Sequence, residues 1–437
     1  MGHLGGKDLY YKLSGNINNL GSPVQRNEAF LKILRKLYSE TEADIVVRLP
    51  YSFSTLDRIQ KLTKIDRCKL QLHLDKLCNK GMVIDICIED TYYYMPAPFL
   101  VGIIEFACMR ADIDQQTLAN LIHEYSRPFM EGGKDVPFQE KTWEMRQRIG
   151  IERTLPYEEN ISPGNFLEVL DYEKTSALVG EADKLAVSLC ACRHLKFHQG
   201  NKECNTPLEL CSWFGWAAEF AVRRGLARAI SKTQMLENIA RSKEMKLLLS
   251  ADNVKHGIMF ICHCCKCCCF PLHDMRKRGY PNLIVTSSLI AQTDAEKCTG
   301  CGKCARECPV DAIEMIPSEN NRKSPSIDKN MCLGCGVCAQ ACPAKAVWLF
   351  KRGQRVIHPE TTFERVMLQA LQNGKLQHQL FDNPQSITHK YMRGFLGAFL
   401  RLDPVRRGLM SDLLRSRFLN ALKTATRMIE PSRCWPE

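Results

Sequence analysis

The chain has 437 residues and a formal net charge of +12, from 60 Lys and Arg against 48 Asp and Glu. A hydrophobic share of 45% and a charged share of 25% fit a globular protein of about two to four domains and exclude bulk disorder or a collagen-like chain. The outlier is the 23 cysteines, which need a chemical reason. The opening MGHLGGKDLYYKLSGNINNLG has no basic stretch followed by an apolar one, and Gly6 breaks the acylation pattern after Gly2. No run of about 18 apolar residues occurs. A cytoplasmic chain without a transmembrane segment is expected, and there cysteines hold metals or catalyse more often than they form disulfides.

Residues 1–98 read as one small domain. EAFLKILRKLYSE, from Glu28, places Phe30, Ile33, Leu34 and Leu37 on one helical face. Ser54-Thr55 opens a short helix, and a turn at Lys64-Ile65 follows. The stretch Asp66–Lys80 then sets Leu70, Leu74 and Leu77 in a buried stripe that Gly81 ends. MVIDICI and TYYYMPAP, on either side of Glu89-Asp90, predict a hairpin. Three helices and a two-stranded wing resemble the winged helix-turn-helix domains of bacterial transcription regulators. The resemblance implies that Asp66–Lys80 is the helix that reads a DNA groove, with Arg67, Lys69, Gln71, His73 and Lys76 as nucleic-acid candidates. The charge argues against this use. Eleven Lys and Arg stand against ten Asp and Glu over 28–98, whereas a DNA reader shows a basic footprint. Docking to protein or a structural use is therefore favoured over DNA, and Cys68, Cys78 and Cys87 read as small core or surface residues, not ligands.

Residues 99–183 read as a mixed connector. VGIIEFACMR predicts a buried helix, and PYEENISP at 156–163 carries helix and strand breakers that mark a boundary.

Residues 184–290 read as a cysteine-rich, helical middle region. Ten cysteines fall in two segments, CACRHLKFHQGNKECNTPLELC at 190–211 and CHCCKCCC at 262–269. They are Cys190, Cys192, Cys204, Cys211, Cys262, Cys264, Cys265, Cys267, Cys268 and Cys269. No packing argument explains six cysteines in eight positions, and metal ligation by part of the set is expected. Ten thiolates suffice for two iron–sulfur clusters with two to spare. One cluster and a zinc ion is the alternative, with His194, His198, His263 or His273 near enough in sequence to offer nitrogen, although none is assigned as a ligand. Adjacent cysteines point to opposite sides of an extended chain, which suggests interleaved sets, Cys262, Cys265 and Cys268 against Cys264, Cys267 and Cys269. Between the segments, Ala217, Ala218, Phe220, Ala221, Leu226, Met235, Leu236 and Ile239 suggest two amphipathic helices broken near Gly225, with Ser231 capping the second.

Residues 291–350 carry the strongest signal. Residues 298–309 read CTGCGKCARECP and residues 332–343 read CLGCGVCAQACP, the same spacing repeated 34 residues later. This duplicated C-x2-C-x2-C-x3-C-P resembles the bacterial two-[4Fe–4S] ferredoxins. The resemblance implies that Cys298, Cys301, Cys304 and Cys342 hold one cluster and that Cys332, Cys335, Cys338 and Cys308 hold the other. Gly300, Gly302, Gly334 and Gly336 would let backbone N–H groups approach the sulfurs. A zinc reading of the CxxC pairs explains neither the proline nor the duplication. Residues 184–348 together, with the resemblance running on to both ends of the chain, are similar to a group of ferredoxin-type proteins of anaerobic bacteria. In that group a CxCR…C…C segment and a C-x-CC-x-CCC segment precede the two-cluster module.

Residues 351–437 read as a basic helical tail, with fifteen Lys and Arg against seven Asp and Glu. FERVMLQALQNGKL, HKYMRGFLGAFLRL and SDLLRSRFLNALKTATRMI are helical patterns, with breaks at Asn373-Gly374 and Asp403-Pro404. Such a tail either caps the fold or meets an acidic partner or an anionic membrane surface.

The expected class is α+β and multidomain. The expected function is electron relay between partner redox proteins, through two [4Fe–4S] clusters and one or two further centres at 190–269. No flavin, nicotinamide or phosphate-binding fingerprint is present. The two other readings are a redox-responsive DNA-binding regulator and a reductase with an open-site cluster in 262–269.

Overall fold

The computed structural model describes residues 2–21, 24–131, 149–166, 171–279, 283–317, 322–353, 358–429 and 433–434. The chain divides into two compact units, residues 1–125, 223–226 and 361–437 in one and residues 126–222 and 227–360 in the other.

In the first unit the helix Glu28–Leu37 buries Phe30, Ile33, Leu34 and Leu37, the stripe read from the sequence. Ser39 and Glu42 form a reciprocal cap at the start of the next helix, Glu40–Arg48. Thr55 caps Leu56–Thr63, and Arg67–Asn79 buries Leu70, Leu74 and Leu77. The strands Val83–Ile88 and Thr91–Pro96 pair antiparallel, and Phe53–Thr55 adds to Thr91–Pro96. The turn between the two long strands has Glu89 and Asp90 both at positive φ, the two-residue geometry that matches strand twist. Gly81 ends Arg67–Asn79 with φ +71°, where a Cβ would fall 2.3 Å from the Cβ of Phe106. The expected helix VGIIEFACMR is regular only over Ile104–Met109. Before it Leu100, Val101 and Gly102 leave helical geometry.

The C-terminal segment returns to this unit. Asp382 is fully buried, accepts from both terminal nitrogens of Arg58 at 2.9 and 3.0 Å, and receives the Ser52 hydroxyl. The backbone N–H of Tyr51 donates to the Asp382 carbonyl at 3.0 Å, and Arg433–Cys434 pairs with Phe53–Thr55. Residues 361–382 are thus built into the core of the unit, which a reading as an appended tail does not convey.

The second unit holds a seven-stranded sheet. Its order is Ile284–Val285, Glu152–Leu155, Leu248–Asp252, Phe260–Cys264, Glu209–Phe214, Leu185–Leu189 and Arg228–Ala229. All neighbours are antiparallel except the first pair. This corrects the expectation of a helical middle region. The strands are short and, apart from Arg228–Ala229, mostly buried, so their apolar residues show little alternation and their pattern is hard to read. The two helices expected on either side of Gly225 do form, Gly215–Arg223 and Lys232–Glu244, the second capped by Ser231 and Gln234. Met235 and Ile239 are buried, but Leu236, expected in the stripe, is exposed. PYEENISP is no boundary. Tyr157 and Ile161 lie in the core of this unit, the Tyr157 N–H donates to the Cys335 carbonyl at 3.0 Å, and the Ser162 N–H donates to the Leu349 carbonyl.

Residues 289–351 fold as two halves. Leu289–Thr293 pairs antiparallel with Val347–Lys351, and Ile313–Pro317 with Lys323–Ile327. Each half carries one short helix, Lys303–Glu307 or Val337–Gln340.

Candidate metal centres

The 34-residue repeat survives in the backbone. Gly300 and Gly334 sit at φ +72° and +69°, and Asp311 and Lys345 at +54° and +47°. A Cβ on Gly334 would fall 2.1 Å from the Leu289 carbonyl oxygen, and one on Gly300 2.6 Å from that of Lys323. No side chain fits there. The last cysteine of each motif accepts an equivalent N–H, Ala312 to the Cys308 sulfur at 3.2 Å and Ala346 to the Cys342 sulfur at 3.3 Å.

The thiols do not group by motif. The charges acting on Cys304 are those of Cys298 and Cys342. Cys335 is next to Cys308 and Cys332, and Cys338 feels Cys335, Cys332 and Cys308 before Cys304. A small cavity of about 20 Å³ is lined by Cys308, Cys332, Cys335 and Cys338, with Ala291, Val310, Ile313 and Leu333 among its walls. The fourth thiol of each motif thus stands with the other motif's trio. Burial pushes the Cys308, Cys335 and Cys338 thiols up, so the protons leave only when a cation takes their place. Cys301 is exposed, and its thiol is lowered by the Lys303 backbone N–H. Eight thiols, N–H donors aimed at sulfur and glycine-lined close approaches fit two cubane clusters.

In the middle region the fold sorts the ten cysteines. Phe260–Cys264 is a strand, so Cys262 and Cys264 share one face and His263 takes the other. In the neighbouring strand, whose Ser212 pairs with Ile261, Cys211 falls on the thiol face and Ser212 on the His263 face. His263 lies buried between the Ser212 hydroxyl at 2.8 Å and the Ser242 hydroxyl at 2.7 Å. Burial, then the charge of Arg193, lowers its pKa to about 3, so it is neutral and already partnered. The structure does not bring it to the thiols. His194 and His198 meet each other through their Nε2 atoms at 3.0 Å.

The thiol face continues beyond the strands. Cys190 precedes the helix Ala191–His198, and Cys192 lies in its first turn. Cys269 precedes the helix Phe270–Arg278. The Cys262 thiol is shifted by its neighbours Cys211 and Cys264, Cys264 by Cys262, Cys269 and Ser250, and Cys269 by Cys192 and Cys264. Cys190 feels the charges of Cys192 and Cys211. Six thiols therefore form one connected group, and two helix N-termini favour negative charge beside it.

Arg193 sits in the same place. Its side chain is buried, and its guanidinium donates to the carbonyls of Pro207 and His263. Its Nε has no hydrogen-bond partner among the described residues. Burial pulls its pKa down, but the thiolates of Cys190, Cys265, Cys264 and Cys211 outweigh this and raise it. A buried cation with an unspent donor fits an anionic cluster of thiolate and sulfide. The sequence carries this arginine in its CxCR motif, yet gives no hint that the chain folds it into the thiol group.

The remaining four cysteines stand apart. The sulfurs of Cys204, Cys265, Cys267 and Cys268 all lie within 4.8 Å of one another. The interleaved sets expected from the sequence are therefore replaced. Cys267 belongs with Cys265 and Cys268, and Cys262 with Cys264. The reason is that the strand ends at Cys264, so its alternation does not continue through 265–269.

The nucleic-acid candidates lie on the helix Arg67–Asn79 as expected, but two are already engaged within the chain. Arg67 forms an ion pair with Asp57, and Gln71 donates to Asp75 and to the Tyr94 hydroxyl. Lys69 and Lys76 are exposed, and His73 is half-buried. No disulfide occurs among the described cysteines. No helix among the described residues is long and apolar enough to cross a membrane.

No curated protein and no solved structure matches the chain. A family model described as a 4Fe-4S dicluster domain matches residues 297–346. This match covers the two motifs and both thiol neighbourhoods around them, and residues 297–346 are accordingly similar to a ferredoxin-type 4Fe–4S module.

Proposed function

We propose that the chain is an iron–sulfur electron relay in a reducing, cytoplasmic compartment. One [4Fe–4S] cluster is assigned to Cys298, Cys301, Cys304 and Cys342, and a second to Cys308, Cys332, Cys335 and Cys338. A third is assigned within the six-thiol group of Cys190, Cys192, Cys211, Cys262, Cys264 and Cys269, with Arg193 as its counter-charge. The observation that carries the reading is the crossing of the fourth thiol of each motif into the other trio. Zinc binding by a single CxxC pair would not need that crossing. Each centre accepts one electron from a donor protein and passes one to an acceptor, and burial with N–H donation to sulfur sets its potential.

Such a relay needs partners. In the helix Ile387–Leu400, Ile387, Tyr391, Phe395 and Phe399 recur every four residues and are exposed, Phe395 at 77%. Lys390 and Arg401 are exposed beside them, and the helix contains no acidic residue. An apolar face with basic flanks suits an acidic redox partner, whose approach it would steer. The winged-helix-like fold of residues 28–96 is read here as a second docking module. The engagement of Arg67 and Gln71 and the even charge balance disfavour a DNA reader.

The test is iron, acid-labile sulfide and EPR on the full chain purified without oxygen. Three cubanes give about twelve iron and twelve sulfide per chain, with spin-coupled signals on reduction. Metal without labile sulfide overturns the relay. For docking, Tyr391→Ser with Phe395→Ser should slow electron transfer to an acidic acceptor protein and leave the iron content unchanged. An unaltered rate, or recruitment of the parent chain to anionic vesicles instead, rejects the protein-docking assignment.

A further inference from the structure

We propose that Cys204, Cys265, Cys267 and Cys268 bind one zinc ion as four thiolates, a centre separate from the electron relay. The first argument is distance. Four ligands on one tetrahedral zinc ion, with Zn–S near 2.3 Å, stand about 3.8 Å apart. The observed sulfur separations are 3.5 Å for Cys267–Cys268, 3.9 Å for Cys265–Cys267 and 4.0 Å for Cys204–Cys268. The thiolates of a cubane sit on four different irons and must stand farther apart. The eight cysteines of residues 298–342 form no comparably tight foursome, nor does the six-thiol group.

The second argument is chemistry. Four thiolates without a histidine, carboxylate or open position make a closed, structural zinc site. The surroundings agree, because Leu210 and Leu247 are buried against Cys265 and Cys268, and Met245 packs beside them. The third argument is topology. Cys204 comes from the loop before the strand Glu209–Phe214, and the other three come from the turn between Phe260–Cys264 and Phe270–Arg278. The ion would staple this loop to this turn. The same turn carries Cys264 and Cys269 of the six-thiol group at its two ends, so the staple would hold those ligands in register. The proposal does not depend on the relay reading, because zinc is not reduced and carries no electron.

Zinc, iron and sulfide should be measured together on the full chain purified without oxygen. About one zinc per chain is expected beside the iron. Zinc K-edge absorption should show four sulfur neighbours at about 2.3 Å. Cys204→Ser, which changes the ligand on the loop, should remove most of the zinc and leave sulfide and the reduced-cluster EPR unchanged. A loss of about four iron in this variant, zinc unchanged by it, nitrogen or oxygen ligands at the zinc edge, or a chain without zinc each overturns the proposal. The zinc-edge measurement uses the unaltered chain and so stands even where the variant does not fold. The iron count decides the relay and the zinc edge decides this site, so the two can fail separately.

Discussion

The ferredoxin-type segment has eight thiols and the middle region ten, but the two gather them by opposite means. In residues 298–342 the ligand spacing is itself the instruction. Glycines at positive φ wrap each trio locally, and a 34-residue repeat returns the fourth thiol to the other half. In residues 190–269 the spacing says little. The end of one strand at Cys264 sends Cys262 and Cys264 to one group and Cys265, Cys267 and Cys268 to another. A local motif can be read from sequence because its geometry closes over a few residues. A set gathered from two strands, two helix starts and a turn cannot.

The largest expected effect tests the crossing of the repeat. The double variant Cys308→Ala with Cys335→Ala removes two ligands of one cluster if the motifs exchange their fourth thiol, so iron should fall by about four per chain. A fall of about eight would mean that each motif serves its own cluster and that the fourth thiols do not cross.

The close backbone approach at Gly334 gives the next effect. Gly334→Ala should destabilise the chain by about 3 kcal/mol, because a left-handed backbone and a carbonyl 2.1 Å from the new Cβ act together. Gly302→Ala, whose nearest neighbour is 3.7 Å away, should cost about 1 kcal/mol. Denaturant midpoints under anaerobic conditions report both, and equal losses would deny Gly334 its special place.

Arg193 separates the two regions electrically. Arg193→Gln withdraws a buried cation from the six-thiol group, so reduction there becomes harder and the midpoint potential of that centre falls. The two potentials of the ferredoxin-type segment should not move. A redox titration followed by EPR distinguishes a selective shift from a general one.

The last effect appears only on acidification and concerns the sheet that carries the middle thiols. Burial, then Arg153 and Lys255, lower the pKa of His358 to about 3, and its Nδ1 meets the Asn253 side chain at 2.7 Å. An unfolded histidine titrates near 6.5. The unfolded chain therefore binds the extra proton first. The stability that comes with the neutral ring is complete above about pH 6.5 and is lost progressively as the pH falls toward 3, by at most about 1.4 kcal/mol per unit. His358→Phe should flatten that slope in urea midpoints between pH 7 and pH 5. An unchanged slope would assign the acid sensitivity elsewhere.

Sequence alone determined the eight-cysteine repeat, the apolar stripes of Glu28–Leu37 and Arg67–Asn79, and the hairpin at Glu89-Asp90. Each rests on contacts within a few residues or on a fixed period. Only the tertiary structure decided the rest. The seven-stranded sheet, Tyr157 against Cys335, Asp382 buried on Arg58, Arg193 among the thiols and the foursome of Cys204 with Cys265, Cys267 and Cys268 all join residues far apart in the chain. Their partners are chosen by strand register and core packing, and neither leaves a spacing to read.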